Sequence, residues 1–276
     1  SHSKTNYSDW PLNKIGRADQ ATDNSWWNAF TGSNSTFAVN YSDDFLVGYD
    51  HGADAGTAHF ANHHLVPGKK FFLWGTESVW NEMLTEEDGA YLELMVGTFS
   101  DNQPDYSFIG PNENRVSKQY WYPIKGIGGA KNVTLEGAVN LVRESESSMM
   151  VGFNVTSKYQ DARIVVKAGN ATLLEKTLDI DPNTPFKQKF QISASVPDQQ
   201  LFAGIYDKEG NELVSYSPVS KLEIQRPHPA DRPGDPADYE SVEELVLAGQ
   251  RLEEFHNARV SPLPYYEEAL RRDPMN

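Results

Sequence analysis

The chain has 276 residues, 38% hydrophobic and 12% aromatic, with 39 Asp+Glu against 24 Lys+Arg, a globular composition long enough for two domains and an appendage at roughly 100–200 residues per domain. A net charge of −15 without a basic cluster argues against nucleic acid and against anionic membrane surfaces, since both need Lys/Arg stripes to displace counterions. No Cys is present, which excludes disulfides and thiolate metal sites. No window approaches the ~18 apolar residues of a membrane span, and the opening SHSKTNYSDW lacks the charged-then-apolar order of a signal peptide. The compartment is left undetermined.

Charge and aromatics divide the chain. Net charge is −8 over 1–128, −2 over 129–237 and −5 over 238–276, and all six Trp precede residue 128, so three regions are expected: 1–128, 129–226 and 238–276. The breaks are a glycine cluster (Gly126, Gly128, Gly129) and the run RPHPADRPGDPADY (Arg226 to Tyr239). Both read as linkers, because Pro removes donors and enforces extended backbone.

Taken in chain order, the first region carries short runs of strand formers bounded by turn residues: SNSTFAVNY, DDFLVGYD, GTAHFANHHLV, KKFFLWG, GAYLELMVGTF and QYWYPI, predicting a β-rich domain. Residues 132–225 alternate more cleanly in VTLEGAVNLV, MMVGFNV, ARIVVKA, TLLEKTLDI, FKQKFQIS and LFAGIYD, with Glu209 and Gly210 turning into NELVSYS. This spacing predicts an immunoglobulin-like sandwich. From Tyr239 the period becomes helical, with Val242, Leu245, Val246, Gly249, Leu252 and Phe255 on one face. Pro262 and Pro264 then open a second helix through Tyr265, Ala269 and Leu270, predicting a helical hairpin.

Glu93 is the leading catalytic candidate. In Tyr91-Leu92-Glu93-Leu94-Met95-Val96 the period of two puts Tyr91, Glu93 and Met95 on one face and Leu92, Leu94 and Val96 on the other. A carboxylate among large apolar neighbours in mid-strand suits acid or base work; the plainer reading is a solvent-facing edge Glu, or one paired with Lys69 or Lys70. His59 and His63 share a face if TAHFANH is extended, and Asp50 and His51 lie one short turn away. Imidazoles could meet a sugar hydroxyl or ring oxygen, hold Zn²⁺ with a carboxylate, or simply fill polar gaps. Trp26, Trp27, Trp74, Trp80, Trp121 and Tyr122 offer flat surface of the kind that stacks on pyranose C–H faces, or core. Asp101, Asn102, Gln103 and Asp105 form a polar loop suited to hydroxyl contacts or to a turn.

The segments FLVGYDHGADAGTAHFANHHLVPGKKFFLWG (Phe45 to Gly75), LTEEDGAYLELMVGTFSDNQPDY (Leu84 to Tyr106) and QYWYPIKGIGG (Gln119 to Gly129) together resemble a bacterial family of uncharacterised proteins. In that family a galactose-mutarotase-like β-supersandwich precedes a small β-sandwich and tetratricopeptide repeats. Its GYDH, HHxVPGKKxWxWG, LTDxDGxYxELMxGxxxDNQPDY and WYP pattern is matched, with Phe72 and Glu86 where Trp and Asp are commoner. EEALRRDP (Glu267 to Pro274) is similar to the close of one tetratricopeptide repeat, which cannot bury its own apolar face and so implies further repeats or packing on the sandwich.

The resemblance implies that 1–128 is the C-terminal half of the supersandwich, its other half supplied elsewhere, and that Glu93, followed by Gln103-Pro104-Asp105, stands where sugar mutarotases carry their base. The resulting expectation is a carbohydrate-active protein, a glycoside hydrolase or sugar epimerase, with Glu93 and His63 catalytic and Asp50, His51, His59, His64, Trp74, Trp80, Gln103, Asp105 and Trp121 binding substrate. No cofactor or metal is expected. The alternative is a non-catalytic carbohydrate-binding module whose C-terminal helices recruit a protein partner.

Overall fold

The computed structural model describes residues 12–13, 22–38, 41–76, 82–83, 91–98, 109–219, 233–254 and 260–276. The protein is mainly β, in antiparallel sheets, and its two C-terminal helices form a hairpin. The first region contains a minimal pair, β1 (Leu12–Asn13) and β2 (Thr22–Asp23), and the strands β3 (Asn34–Phe37), β4 (Phe45–Asp50), β5 (Ala55–Phe60), β6 (Gly68–Leu73), β7 (Leu92–Gly97) and β8 (Tyr120–Lys125). These form two three-stranded sheets, β3-β6-β7 and β4-β5-β8.

The sheets face each other. A Cβ on Gly48 of β4 would lie 2.8 Å from Leu94 of β7, so Gly is what allows Leu94 to press against the opposite backbone. Alternation then assigns the remaining positions. Leu46, Gly48, Thr57, His59 and Trp121 share the inward face of one sheet, while Lys69, Phe71, Leu73 and Leu94 share that of the other.

Behind this layer comes the sandwich. Its strands are β9 (Asn132–Val133), β10 (Gly137–Ser145), β11 (Ser148–Val155), β12 (Tyr159–Ala168), β13 (Ala171–Ile180), β14 (Phe186–Gln191), β15 (Leu201–Tyr206) and β16 (Glu212–Tyr216). They pair as β14-β11-β10-β9 and β13-β12-β15-β16, with the chain crossing between sheets after β11, β13 and β14, an immunoglobulin-like arrangement. Its core joins Val139, Val151, Phe153, Ile164, Val166, Leu201 and Ile205 from both sheets. Gly210, at φ 91°, makes the turn between β15 and β16.

The glycine cluster at 126–129, expected to be a linker, is a bonded joint. Tyr49 Oη donates to Asp54 Oδ1 (2.6 Å) and accepts from the N–H groups of Ile127 (3.2 Å) and Gly128 (3.0 Å). Lys187 of β14 pairs with Asp54 Oδ2 at 3.2 Å, and Asn140 donates to Ile127 O at 2.8 Å. The bond from Tyr49 outweighs desolvation and, with those from Lys187 and Gly128, holds the Asp54 carboxyl below the usual carboxylate range. Ile127 is fully buried in a core of Ala58, Ile124, Val133 and Ala138, against which Phe45, Val47, Tyr49 and Tyr122 pack. Apolar burial is thus continuous across residue 128. Gly126 and Gly128 sit at φ near +70°, where only glycine is unstrained.

The helices are α1 (Val242–Glu254) and α2 (Leu263–Arg272). Ser241 Oγ accepts from the Glu244 N–H and Glu244 Oε2 accepts from the Ser241 N–H, each at 3.1 Å, a capping box that starts α1. Leu245, Leu252, Tyr265 and Ala269 form the hairpin core. Gly249 lets the Tyr266 ring approach within 2.5 Å of where a Cβ would stand. Of the positions expected on the buried stripe, Leu270 is exposed and Phe255 lies outside the described residues.

Ile127→Ala should lower the unfolding free energy by about 2–5 kcal/mol, the range for deleting a buried aliphatic side chain. Because its core spans the joint, Trp fluorescence of the first region and far-UV circular dichroism should shift to lower urea together.

Candidate functional site

The β4-β5 hairpin organises the chemistry. Phe45 pairs with Phe60 and the Ala61 N–H donates to Asp44 O at 2.8 Å, which brings residue 44 beside the turn that follows β5. The strand ends at Phe60, so TAHFANH is not extended throughout and His59 and His63 part company. His63 enters that turn, where Asp44 Oδ1 accepts from both its backbone N–H (2.8 Å) and its ring Nδ1 (2.7 Å). The ring centroid of His64 lies 3.9 Å from that of His63.

His59 goes inward instead. It is completely buried, its Nε2 lies 3.2 Å from Gln119 Oε1, and its Nδ1 has no hydrogen-bond partner among the described residues. Burial holds the imidazole below its ordinary range; the Gln119 bond opposes this and the charge of Lys69 adds to it. Trp121 packs on this buried ring, centroids 4.7 Å apart, while remaining 47% exposed itself.

Lys69 faces the same interior. It is 5% exposed, donates to Asp43 O and has its ammonium 4.2 Å from the centroid of the Tyr41 ring. Burial pulls its pKa down to about 8 against the opposing charges of Asp43 and Asp44. Asp44 is held the other way. Its burial would raise the carboxyl, but the two His63 bonds, the imidazole and Lys69 together bring it below the usual range.

Glu93 occupies the opposite side of its sheet. Its neighbour Leu94 points at β4, so by alternation Glu93 lies on the outer face beside Phe72, its partner across β6, in a strand that is the edge of the described sheet. Its Oε1 accepts from Tyr91 Oη at 2.7 Å, and Tyr91 stacks on buried Trp74, centroids 4.5 Å apart. The expected meeting of Glu93 with a histidine in one aromatic cavity is therefore not formed by the described residues: the four histidines from His51 to His64 belong to the β4-β5 hairpin and its turns. Period two correctly separated Glu93 from Leu94, but which face is inward depends on where the second sheet sits.

Two other residues have different surroundings from those expected. Asp50 Oδ1 accepts from Gly52 N (2.7 Å) and Ala53 N (3.2 Å), so it closes the β4-β5 turn. His51 stacks on Trp26, itself 46% exposed, with centroids 5.0 Å apart. Trp80, Gln103 and Asp105 lie outside the described residues. Among the described residues no group of three or more His, Asp or Glu is arranged to hold a metal ion. Sequence reasoning passed over Tyr41, Asp44 and the burial of Lys69. The signal for Asp44 was the hairpin register, since a tight turn at 51–54 forces residue 44 opposite residue 61.

Two family models match separate parts of the chain, and neither assigns an activity. Residues 1–124 match a domain of unknown function, DUF5107, and residues 132–216 match the second domain of YphG-like proteins. No solved structure gave a significant match.

Lys69 generates a pH prediction. The unfolded chain holds this proton up to the ordinary lysine value of about 10.4, the folded chain only to about 8. Between these values the unfolded state binds more protons, so stability rises with pH. Urea titrations should show wild type gaining stability relative to Lys69→Met between about pH 8 and pH 10, with no such gain between pH 6 and 7.

Proposed function

We propose that the chain is a carbohydrate-active protein whose first region takes a glycoside or free sugar on aromatic rings backed by imidazole. The observation that carries this reading is Trp121. Its indole is held against the buried His59 ring yet leaves nearly half its surface open, a fixed, flat, polarisable face that costs little entropy to present to a pyranose. At the opposite, turn end of the same hairpin Trp26 stacks on the exposed His51 and offers a second such face. An acidic protein also suits a neutral polyol better than an anionic ligand.

On this reading the two facing sheets are part of a mutarotase-like β-supersandwich completed by further strands, and acid–base chemistry on the bound sugar falls to the imidazoles. The alternative, a binding module without turnover, is favoured by the separation of Glu93 from His63. In either case the hairpin is a tetratricopeptide-type unit for a protein partner. Leu247 and Leu263, 64% and 62% exposed, supply apolar surface for it.

A glycan array probed with the full chain, followed by calorimetry on the retained sugar, tests the proposal. Trp121→Ala should weaken binding by about tenfold or more, corresponding to ~1.4 kcal/mol, with the melting temperature monitored to separate binding from fold. Retention of no saccharide by the wild-type chain would sink the carbohydrate reading.

A further inference from the structure

We infer that the proton acceptor of the first region is Nε2 of His63, with Asp44 as its positioning residue, and that Glu93 takes no part in the proton transfer. This rests on the carbohydrate reading above and names the group that would act there.

The geometry is specific. One oxygen of Asp44 accepts from both the backbone N–H and Nδ1 of His63, at 2.8 and 2.7 Å, so ring and main chain are tied to the same point. The two bonds and the charge of Lys69 favour the ionised carboxylate, which has no hydrogen to give; the hydrogen of this contact therefore sits on Nδ1. In the neutral ring the lone pair is left on Nε2. The His63 side chain is 21% accessible, and the rings of His64 (3.9 Å) and Tyr41 (6.2 Å) flank it. A sugar hydroxyl meeting Nε2 would lose its proton to it: the O–H bond breaks, an N–H bond forms and the electron pair stays on oxygen. The imidazolium so formed lies against the Asp44 carboxylate, which stabilises it. Glu93 lacks these features. It already accepts the phenolic hydrogen of Tyr91, and it faces outward, away from the sheet that carries the histidines.

The test uses the full chain labelled with ¹⁵N-histidine. Long-range ¹H–¹⁵N spectra over a pH series, with the His63 signals assigned by their loss in His63→Gln, should show the neutral ring protonated on Nδ1 and bare on Nε2. Asp44→Ala should move His63 toward the Nε2–H form. Wild-type His63 in the Nε2–H form would overturn the inference.

A kinetic arm uses a sugar that wild type turns over. Asp44→Asn, which keeps the oxygen and loses the charge, should lower kcat by about tenfold or more with KM within about threefold; Glu93→Gln should leave both kcat and KM within about threefold. Asp44→Glu should recover part of kcat, which separates charge from folding. Loss of kcat in Glu93→Gln with Asp44→Asn unaffected overturns the inference while the carbohydrate reading stands. Binding or turnover of no sugar by wild type defeats that reading and the base assignment with it, whereas the spectra still measure the Asp44 contact.

Discussion

The register of β4 on β5 is the constraint on which the rest of the first region depends. Side chains alternate with a period of two, so the pairing of Phe45 with Phe60 through Asp50 with Ala55 commits two faces at once. Val47, Tyr49 and Ala58 go to the joint with the sandwich; Leu46, Gly48 and His59 go to the interior opposite β6 and β7. A slip of one residue would drive His59 into the apolar joint and Ala58 into the polar interior. It would also separate Asp44 from His63.

The same hairpin joins stability to chemistry. Tyr49 and Asp54, at its turn end, receive the backbone of Ile127 and Gly128 and the ammonium of Lys187. The first region is thereby fastened to the sandwich by hydrogen bonds that also satisfy the donors of a glycine-rich bend. At its other end lie Asp44, His63 and His64. Between the two ends is a layer that contains both a buried imidazole and a buried ammonium, and both are shifted toward their neutral forms by burial. Such groups cost stability, and perturbed titratable groups concentrate at functional sites more often than elsewhere. That is the physical ground for placing the proposed function on this hairpin rather than on the sandwich, where charged side chains such as Arg163 and Glu175 pair on an exposed strand face.

Much of the architecture was legible locally. Alternation in ARIVVKA and MMVGFNV marks strands because inward and outward positions differ in hydrophobicity, and the Ser241–Glu244 capping box marks the start of α1 because those side chains satisfy backbone donors within a few residues. The glycines at 126–129 were legible as a bend but not as a joint. A positive φ is a local property, whereas the Tyr49 hydroxyl that accepts from this backbone arrives from almost eighty residues away.

By itself the sequence determined the kinds of element, their order, the absence of thiol chemistry and the alternation that sets Glu93 apart from Leu94. Those follow from interactions spanning a turn of helix or a pair of residues along a strand. Only the tertiary structure decided that Glu93 faces outward, that His59 and Lys69 share a buried layer, that Asp50 closes a turn and that Asp44 holds His63. Each of these depends on which face of a sheet meets another sheet, and alternation is symmetric with respect to that choice. The choice is made by the close approach of Leu94 to Gly48 and by burial of Ile127 across the joint, contacts between residues far apart in the chain that no local pattern encodes.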